Sequence, residues 1–190
     1  MRAFIAIDLP KEIKGHLRAV QEKLKNSRAD VKWVEPGNIH LTLKFLGEAE
    51  EEKIKAVIEV IENIAKDKKP FSVRLSELGA FPGLSSARVI WAGIDKGDTE
   101  VKEIAAQLED DLSKIGFPKE DRPFSSHITI GRTRSSFNRQ ELVKILTGLQ
   151  DTFKKDAPEF NADKVTLFKS TLTPKGPVYE ALKEINLKTT

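Results

Sequence analysis

Hydrophobic and polar residues alternate with a period of two in several short stretches of the chain, and this pattern predicts strands. The clearest stretch, Asn38–Gly47, places four apolar side chains on one face of the predicted strand: Ile39, Leu41, Leu43 and Phe45. His40 and Thr42 fall on the opposite face. If the apolar face lies in the core, the other face presents a histidine beside a threonine.

The same pattern returns at Ser126–Gly131. There Ile128 and Ile130 face one side, and His127 and Thr129 face the other. The chain contains 3 histidines, and two of them occupy equivalent places in matching strands. We therefore interpret the two His-x-Thr strands as the functional centre.

The remaining elements alternate between strand and helix patterns. Period-two or compact apolar runs predict strands at Arg2–Asp8, Val31–Val34, Phe71–Leu78, Arg88–Ile94, Phe160–Leu172 and Val178–Leu187. Apolar stripes at helical spacing predict helices at Lys11–Asn26, Glu50–Lys66, Thr99–Ile115 and Asn138–Leu149. The segment Gly79–Ser86, which contains Phe81-Pro82-Gly83, is predicted to be a loop.

The order of these elements repeats along the chain. His40 and His127 are 127 − 40 = 87 residues apart, and the pairs Ile7-Asp8 and Ile94-Asp95 share the offset, 95 − 8 = 87. Such a repeat indicates an internal duplication. We expect an α+β fold over residues 1–190: two lobes related by a pseudo-twofold axis, with antiparallel sheets and outer helices. The approximate halves are 1–87 and 88–190, strands can be exchanged between lobes, and a central cleft carries both His-x-Thr strands.

Composition narrows the class of protein. The chain has 190 residues, 39% hydrophobic and 32% charged, as in an ordinary globular protein. It has no cysteine, which excludes disulfides, thiolate nucleophiles and Cys-based metal centres. No apolar run reaches membrane-spanning length and no signal pattern opens the chain, so we expect a cytoplasmic protein that does not bind membranes. Abundant Lys and Glu with a single Met are typical of proteins from hot environments.

Two facing histidines can divide acid–base work. Their ordinary pKa near 6.5 allows one to accept a proton from the nucleophile while the other donates to the leaving group. Each threonine hydroxyl lies on the same face and can bind an anion held between them. A net charge of +3 is compatible with an anionic ligand. The pattern therefore indicates a phosphate site that cleaves an ester without a metal or another cofactor.

Other chemistries fit the sequence less well. The chain has no His-x-His or similar spacing for a metal. Ser125 and Ser126 precede His127, but no nucleophile-elbow motif accompanies them. Glycine-rich loops of the Walker or dinucleotide type are absent from the sequence.

Asn38–Glu48 and Arg122–Arg132 resemble the paired signatures of the 2H phosphoesterase superfamily, and more narrowly its RNA 2′,3′-cyclic phosphodiesterases, also called 2′-5′ RNA ligases. The resemblance covers almost the whole chain. It includes three further segments: Arg2–Pro10, Arg88–Gly93, and Leu167–Leu172 with Gly176–Tyr179. The family implies a bilobal α+β fold with a basic cleft and hydrolysis of a terminal 2′,3′-cyclic phosphate to a 2′-phosphate.

The resemblance also implies roles for individual residues. His40 would protonate the departing 3′-oxygen, His127 would activate water, and Thr42 and Thr129 would bind the non-bridging phosphate oxygens. Arg132, five residues after the second histidine, would contact the phosphate or stack on the terminal base. Strict alternation places Arg132 on the face opposite His127, so a bulge at Gly131 or the end of the strand must turn it. Ser126 departs from the family, where proline often precedes the histidine.

The expected partner is therefore RNA with a 2′,3′-cyclic phosphate end, of which tRNA fragments are one source, and nucleotides are further candidate ligands. We expect a monomer. Reverse 2′-5′ joining is permitted by microscopic reversibility. The alternative function, of a different class, is a module that binds nucleotides or RNA ends and whose turnover is incidental.

Overall fold

The computed structural model describes residues 1–189, which form nine strands in two antiparallel sheets and four α-helices. The strands are β1 (Arg2–Asp8), β2 (Val31–Trp33), β3 (His40–Glu48), β4 (Phe71–Phe81), β5 (Val89–Ile94), β6 (His127–Thr133), β7 (Glu159–Ala162), β8 (Lys164–Thr173) and β9 (Gly176–Asn186). The helices are α1 (Lys11–Lys25), α2 (Glu51–Ala65), α3 (Asp98–Lys114) and α4 (Arg139–Lys155). The predicted α+β class is confirmed.

Each sheet combines strands from both halves of the chain. The first sheet has the order β3-β1-β8-β9, and the second has the order β2-β6-β5-β4-β7. Thus β8 from the second half pairs with β1, and β9 pairs with β8. In the second sheet, β4 from the first half pairs with β5. The two His-x-Thr strands, β3 and β6, belong to different sheets.

The two helices that cover each sheet also come from different halves of the chain. Helices α2 and α3 contact strands of the first sheet, and α1 and α4 contact strands of the second. Their apolar stripes are buried there, as the helical spacing predicts: Ile13, Leu17, Val20 and Leu24 in α1, and Val101, Ile104, Leu108 and Leu112 in α3. Each sheet therefore has one face covered by helices, and each lobe is held together by elements distant in sequence.

Three predicted boundaries are wrong. Strand β4 continues through Gly79 to Phe81, because these residues pair with β5, so the loop begins later than expected. The predicted strand Phe160–Leu172 is two strands, since β7 pairs with β4 in the second sheet and β8 pairs with β1 in the first. Helix α4 extends past Leu149 to Lys155 because Phe153 continues its buried stripe.

Within residues 1–189, no helix combines the length and apolar character needed to cross a membrane.

Candidate active site

A bulge in β3 decides which side chains face the cleft. Ile5 of β1 pairs with Lys44 and Ala6 pairs with Thr42, which leaves Leu43 without a partner. Beyond this point the alternation is reversed, so Lys44 is buried and the Phe45 side chain is 57% exposed. The prediction that Phe45 faces the core is therefore wrong.

A second bulge re-aims Arg132. In β6, Gly131 pairs with Ile90 and Thr129 with Trp91, so Ile130 is the unpaired residue. The bulge lies one residue before the predicted position at Gly131, and it brings Arg132 to the face that carries His127. The two bulges share the sequence offset, 130 − 43 = 87. Phe45 and Arg132 consequently occupy equivalent positions in the two lobes.

His40 is held by two hydrogen bonds. Its Nδ1 lies 2.7 Å from the carbonyl oxygen of Asn38, which can only accept, so Nδ1 carries a proton. Its Nε2 lies 2.8 Å from the Thr42 hydroxyl. Asn38 is fixed in turn, because its Nδ2 donates to the Pro177 carbonyl over 2.9 Å. The neutral imidazole therefore has its lone pair at Nε2, which accepts a hydrogen bond from the Thr42 hydroxyl.

His127 is oriented by the equivalent contact. Its Nδ1 donates to the Ser125 carbonyl over 2.8 Å, two residues before the histidine, as Asn38 precedes His40. Within residues 1–189, its Nε2 has no hydrogen-bond partner. The backbone thus sets the same tautomer in both histidines, and Nε2 is the atom each one presents to a ligand.

Aromatic side chains support both imidazoles. Phe4 stacks on His40 with ring centroids 4.7 Å apart, and Tyr179 meets it edge-on at 5.4 Å. In the other lobe, Phe81 meets His127 edge-on at 4.9 Å and packs at 5.1 Å against a neighbouring ring, that of Trp91. Sequence reasoning missed these rings. The repeat offset could have revealed one matched pair, because 168 − 81 = 87, and Phe168 lies 6.4 Å from His40 as Phe81 lies 4.9 Å from His127.

Burial and nearby charges lower the pKa of each cleft histidine below the ordinary value of an imidazole. For His40 the main cause is burial, opposed by the Asn38 carbonyl and the Asp8 carboxylate and reinforced by the Lys14 ammonium. For His127 the main cause is again burial, opposed by the Ser125 carbonyl and reinforced by the charge of Arg132. Arg132 is thus close enough to act on the second histidine.

The two lobes meet at the strands that carry the two histidines. Strands β3 and β6 are in contact although they belong to different sheets. The guanidinium of Arg132, on β6, and that of Arg2 favour ionisation of Tyr179 on β9, although burial raises the pKa of this phenol overall. All five predicted site residues therefore lie on the strands that meet here: His40, Thr42, His127, Thr129 and Arg132. Within residues 1–189, no cluster of three or more His, Cys, Asp or Glu side chains is arranged to hold a metal ion.

Known proteins resemble this chain over nearly its whole length, and a family profile matches each half of the internal repeat. The profile of the LigT-like phosphoesterases matches the chain twice, over residues 7–91 and 94–179, and the starts differ by 94 − 7 = 87. The chain is 39% identical to the RNA 2′,3′-cyclic phosphodiesterase of Methanocaldococcus jannaschii over 97% of its own length and 99% of that protein. It is 36% identical to the protein of the same name from Thermotoga maritima, over 97% and 94%.

Solved structures share the fold over the whole chain. The protein TT0787 of Thermus thermophilus superposes with a TM-score of 0.80 at 29% identity, covering 98% of each chain. E. coli LigT in complex with 3′-AMP superposes with a TM-score of 0.77 at 28% identity, covering 99% of this chain and 98% of that one. Two lobes with one His-x-Thr strand each define the 2H phosphoesterase class. The chain belongs to the LigT-like phosphoesterase family within it.

Proposed function

We propose that this protein hydrolyses RNA 2′,3′-cyclic phosphate ends to 2′-phosphomonoesters without a metal. The observation that carries the proposal is the matched pair of imidazoles. Each has its Nδ1 fixed by a backbone carbonyl two residues earlier, which leaves Nε2 for a ligand, and each is followed two residues later on its strand by a threonine. Relatives named RNA 2′,3′-cyclic phosphodiesterase that align over almost the whole chain supply the substrate class.

The reaction divides between the two histidines. Nε2 of His127 removes a proton from water as the water oxygen bonds to phosphorus. The bond from phosphorus to the ribose 3′-oxygen breaks, and the protonated Nε2 of His40 donates its proton to that oxygen. The product is a 2′-phosphomonoester with a free 3′-hydroxyl. The enzyme is left with its proton on His127, and exchange with solvent restores the starting state.

Three further side chains stabilise the charge that develops on phosphorus. The hydroxyls of Thr42 and Thr129 donate to the two non-bridging oxygens, and Arg132 supplies a positive charge on the water side. Without substrate, the Thr42 hydroxyl bonds to Nε2 of His40 over 2.8 Å. Substrate binding exchanges this contact for one with phosphate, which leaves the proton of His40 directed at the leaving oxygen.

These roles place the nucleoside on the wall of the first lobe. The 3′-oxygen lies beside His40, so the ribose and its base lie on the same side. The exposed ring of Phe45 lies there, with its centroid 6.1 Å from that of Phe4, which itself stacks on His40. A base can stack on this ring while its phosphate lies between the histidines. E. coli LigT structures with 3′-AMP, ATP and NADP+ support nucleotides as further ligands.

Replacing Phe45 with Ala is expected to raise KM with little change in kcat. Stacking on an aromatic ring contributes about 1–3 kcal/mol per base, which corresponds to a rise in KM of about 5- to 150-fold. Steady-state kinetics on adenosine 2′,3′-cyclic phosphate measures it. The matched control is Phe137→Ala, because Phe137 is 63% exposed but lies outside β3 and β6. An equal effect of both substitutions, or none from Phe45→Ala, would contradict the assignment.

Replacing Asp8 with Asn is expected to move the alkaline limb of the pH–rate profile to lower pH. The profile should be bell-shaped, because His40 must be protonated and His127 must be neutral. Asp8 pairs with His40 across β1 and β3, and its charge raises the pKa of that imidazole. Its loss lowers that pKa, so His40 loses its proton at lower pH.

NMR titration of the histidine Cε1–H signals measures the same shift without turnover. Asp95→Asn is the control, because Asp95 ends the matching Ile-Asp pair of the repeat but bonds to Arg74, and Gly93 is the residue opposite His127. An unchanged alkaline limb in Asp8→Asn would show that the limb does not report His40.

Reverse 2′-5′ joining is a corollary of the same site. A 5′-hydroxyl can take the place of water at His127, and by microscopic reversibility the same groups serve cleavage and joining of a 2′-5′ linkage. We propose that one chain suffices for either direction, because every proposed catalytic group belongs to the same protomer. The cytoplasmic location expected from the sequence stays a prediction.

The direct test is hydrolysis of cyclic phosphate ends in the presence of EDTA. We expect a short oligonucleotide with a 2′,3′-cyclic phosphate to lose the cyclic end at the same rate with EDTA and with added Mg²⁺. Loss of activity in EDTA that returns with metal would overturn the metal-independent mechanism. Tight binding of the oligonucleotide without any turnover would favour the alternative, a module that only binds RNA ends.

A further inference from the structure

The bulge that exposes Phe45 also turns the neighbouring Lys44 into the protein. The Lys44 side chain is only 2% exposed, and its Nζ lies 2.6 Å from Oε1 of Glu109 on α3. Nζ also donates to the carbonyl oxygen of Pro118 over 2.8 Å. A charge this deeply buried is costly unless it is paired and hydrogen-bonded, and the helix and the segment that follows it supply both partners.

The contacts of Lys44 and Glu109 hold the segment that leads to the second histidine. The chain between α3 and β6, residues 115–126, contains no helix or strand. Lys44 holds it at Pro118, and the second carboxylate oxygen of Glu109 accepts the backbone N–H of Glu120 over 3.0 Å. The segment ends at Ser126, and the carbonyl of the preceding Ser125 fixes Nδ1 of His127.

We infer that Lys44 is a positioning residue for His127. It lies on β3, the strand that carries His40 and Thr42, yet the segment it fixes belongs to the other histidine. One strand therefore presents His40 directly and sets the place of His127 through Glu109 and residues 118–120. The bulge at Leu43 has two effects on this strand, because it turns Lys44 inward and Phe45 outward in the same step.

The other lobe fixes its bulge by a different device. Gln21 of α1 is 2% exposed, and its Nε2 donates to the carbonyls of Val34 and Ile130 over 2.8 and 2.9 Å. The residue equivalent to Lys44 is Gly131, since 131 − 44 = 87. The second lobe thus has no charge at this position. Only β3 has an ionic contact that holds the segment before the histidine of the other lobe, His127.

The test uses Lys44→Met together with Glu109→Gln, a double variant that leaves no buried unpaired charge and keeps an acceptor for the Glu120 N–H. The Glu120 carboxylate, 3.9 Å from Nζ of Lys44, also loses this partner, but its side chain is 60% exposed to solvent. We expect kcat to fall about ten- to hundredfold, the cost of a small displacement of a catalytic group, with KM within about twofold of the parent. The control is Lys68→Met, which removes the lysine partner of Glu103, another carboxylate on α3, at 3.0 Å. This control should leave kcat unchanged.

A second readout separates positioning from general loosening. The 3 histidines give three Cε1–H signals, which single His→Gln variants assign. In the double variant the His127 signal and its titration should change, while His40 and His16 keep theirs. Equal changes at both cleft histidines, an unchanged His127, or an unchanged kcat would overturn the inference. If the double variant does not fold, Glu109→Gln alone is tested with the same criteria.

The kinetic arm rests on the proposed function, whereas the NMR arm does not. If the parent hydrolyses no cyclic phosphate but the His127 signal alone responds, the function fails and the positioning role stands. If the parent is active and the His127 signal does not respond, the function stands and the positioning role fails.

Discussion

His127→Ala is expected to lower kcat by about 10²–10⁴-fold, the usual contribution of a positioned general acid or base. Its Nε2 has no hydrogen-bond partner in residues 1–189, so this atom is free to accept the proton from water. His40→Ala is expected to lose a similar factor, because the 3′-oxygen would then leave unprotonated. Binding of 2′-AMP should persist in both variants, since the three proposed phosphate ligands, Thr42, Thr129 and Arg132, are unchanged.

The control for both variants is His16→Ala. His16 lies on α1 against Phe153, with ring centroids 5.7 Å apart, and so lies outside the two His-x-Thr strands. Single-turnover kinetics and calorimetric titration measure the two quantities separately. A His127→Ala variant that retains more than about a tenth of the parental kcat would remove this residue from the mechanism.

Gly97→Ala is expected to lower the free energy of unfolding by about 2–4 kcal/mol. Gly97 precedes α3 with φ of +86°, a left-handed conformation that costs an alanine energy, and an added Cβ would lie 2.5 Å from the backbone oxygen of Ser72. Backbone cannot move aside as a flexible side chain can. Helix α3 also carries Glu109, so this turn supports the site as well as the lobe.

Gly15→Ala, in contrast, should raise the free energy of unfolding. Gly15 lies within α1, and an added Cβ would meet no atom within 4 Å. Alanine in a helix interior is favoured over glycine by about 0.5–1 kcal/mol. Urea unfolding of the two variants measures both effects. Equal destabilisation at the two positions would contradict the conformational argument.

The His-x-Thr strands could be predicted from the sequence because local alternation determines them. Ile39 and Leu41 are buried and His40 lies on the other face because a strand has a period of two, and the helix stripes follow from their own period in the same way. The 87-residue offset then related the two histidines without any knowledge of the fold. These features depend on neighbours within a few residues.

The rest of the site depends on pairing between distant segments. The bulge at Leu43 exists only in the register of β3 against β1, so alternation alone assigned Phe45 to the core and could not foresee a buried Lys44. The exchange of β4 and β8 between sheets, which set the end of β4 and divided the predicted strand Phe160–Leu172, is equally non-local. Part of the aromatic support, Phe81 and Phe168, could have been found from the repeat offset, whereas Tyr179 could not, because position 179 − 87 = 92 is an alanine.

The most direct measurement is the position of the phosphate in the product. An oligonucleotide with a 2′,3′-cyclic phosphate end is hydrolysed with EDTA, and ³¹P NMR or chromatography against standards distinguishes the 2′- from the 3′-phosphomonoester. A 2′-phosphate alone is predicted, because His40 directs its proton to the 3′-oxygen while His127 activates water. A 3′-phosphate, or a mixture of the two isomers, would contradict the proposed cleavage of the bond between phosphorus and the 3′-oxygen.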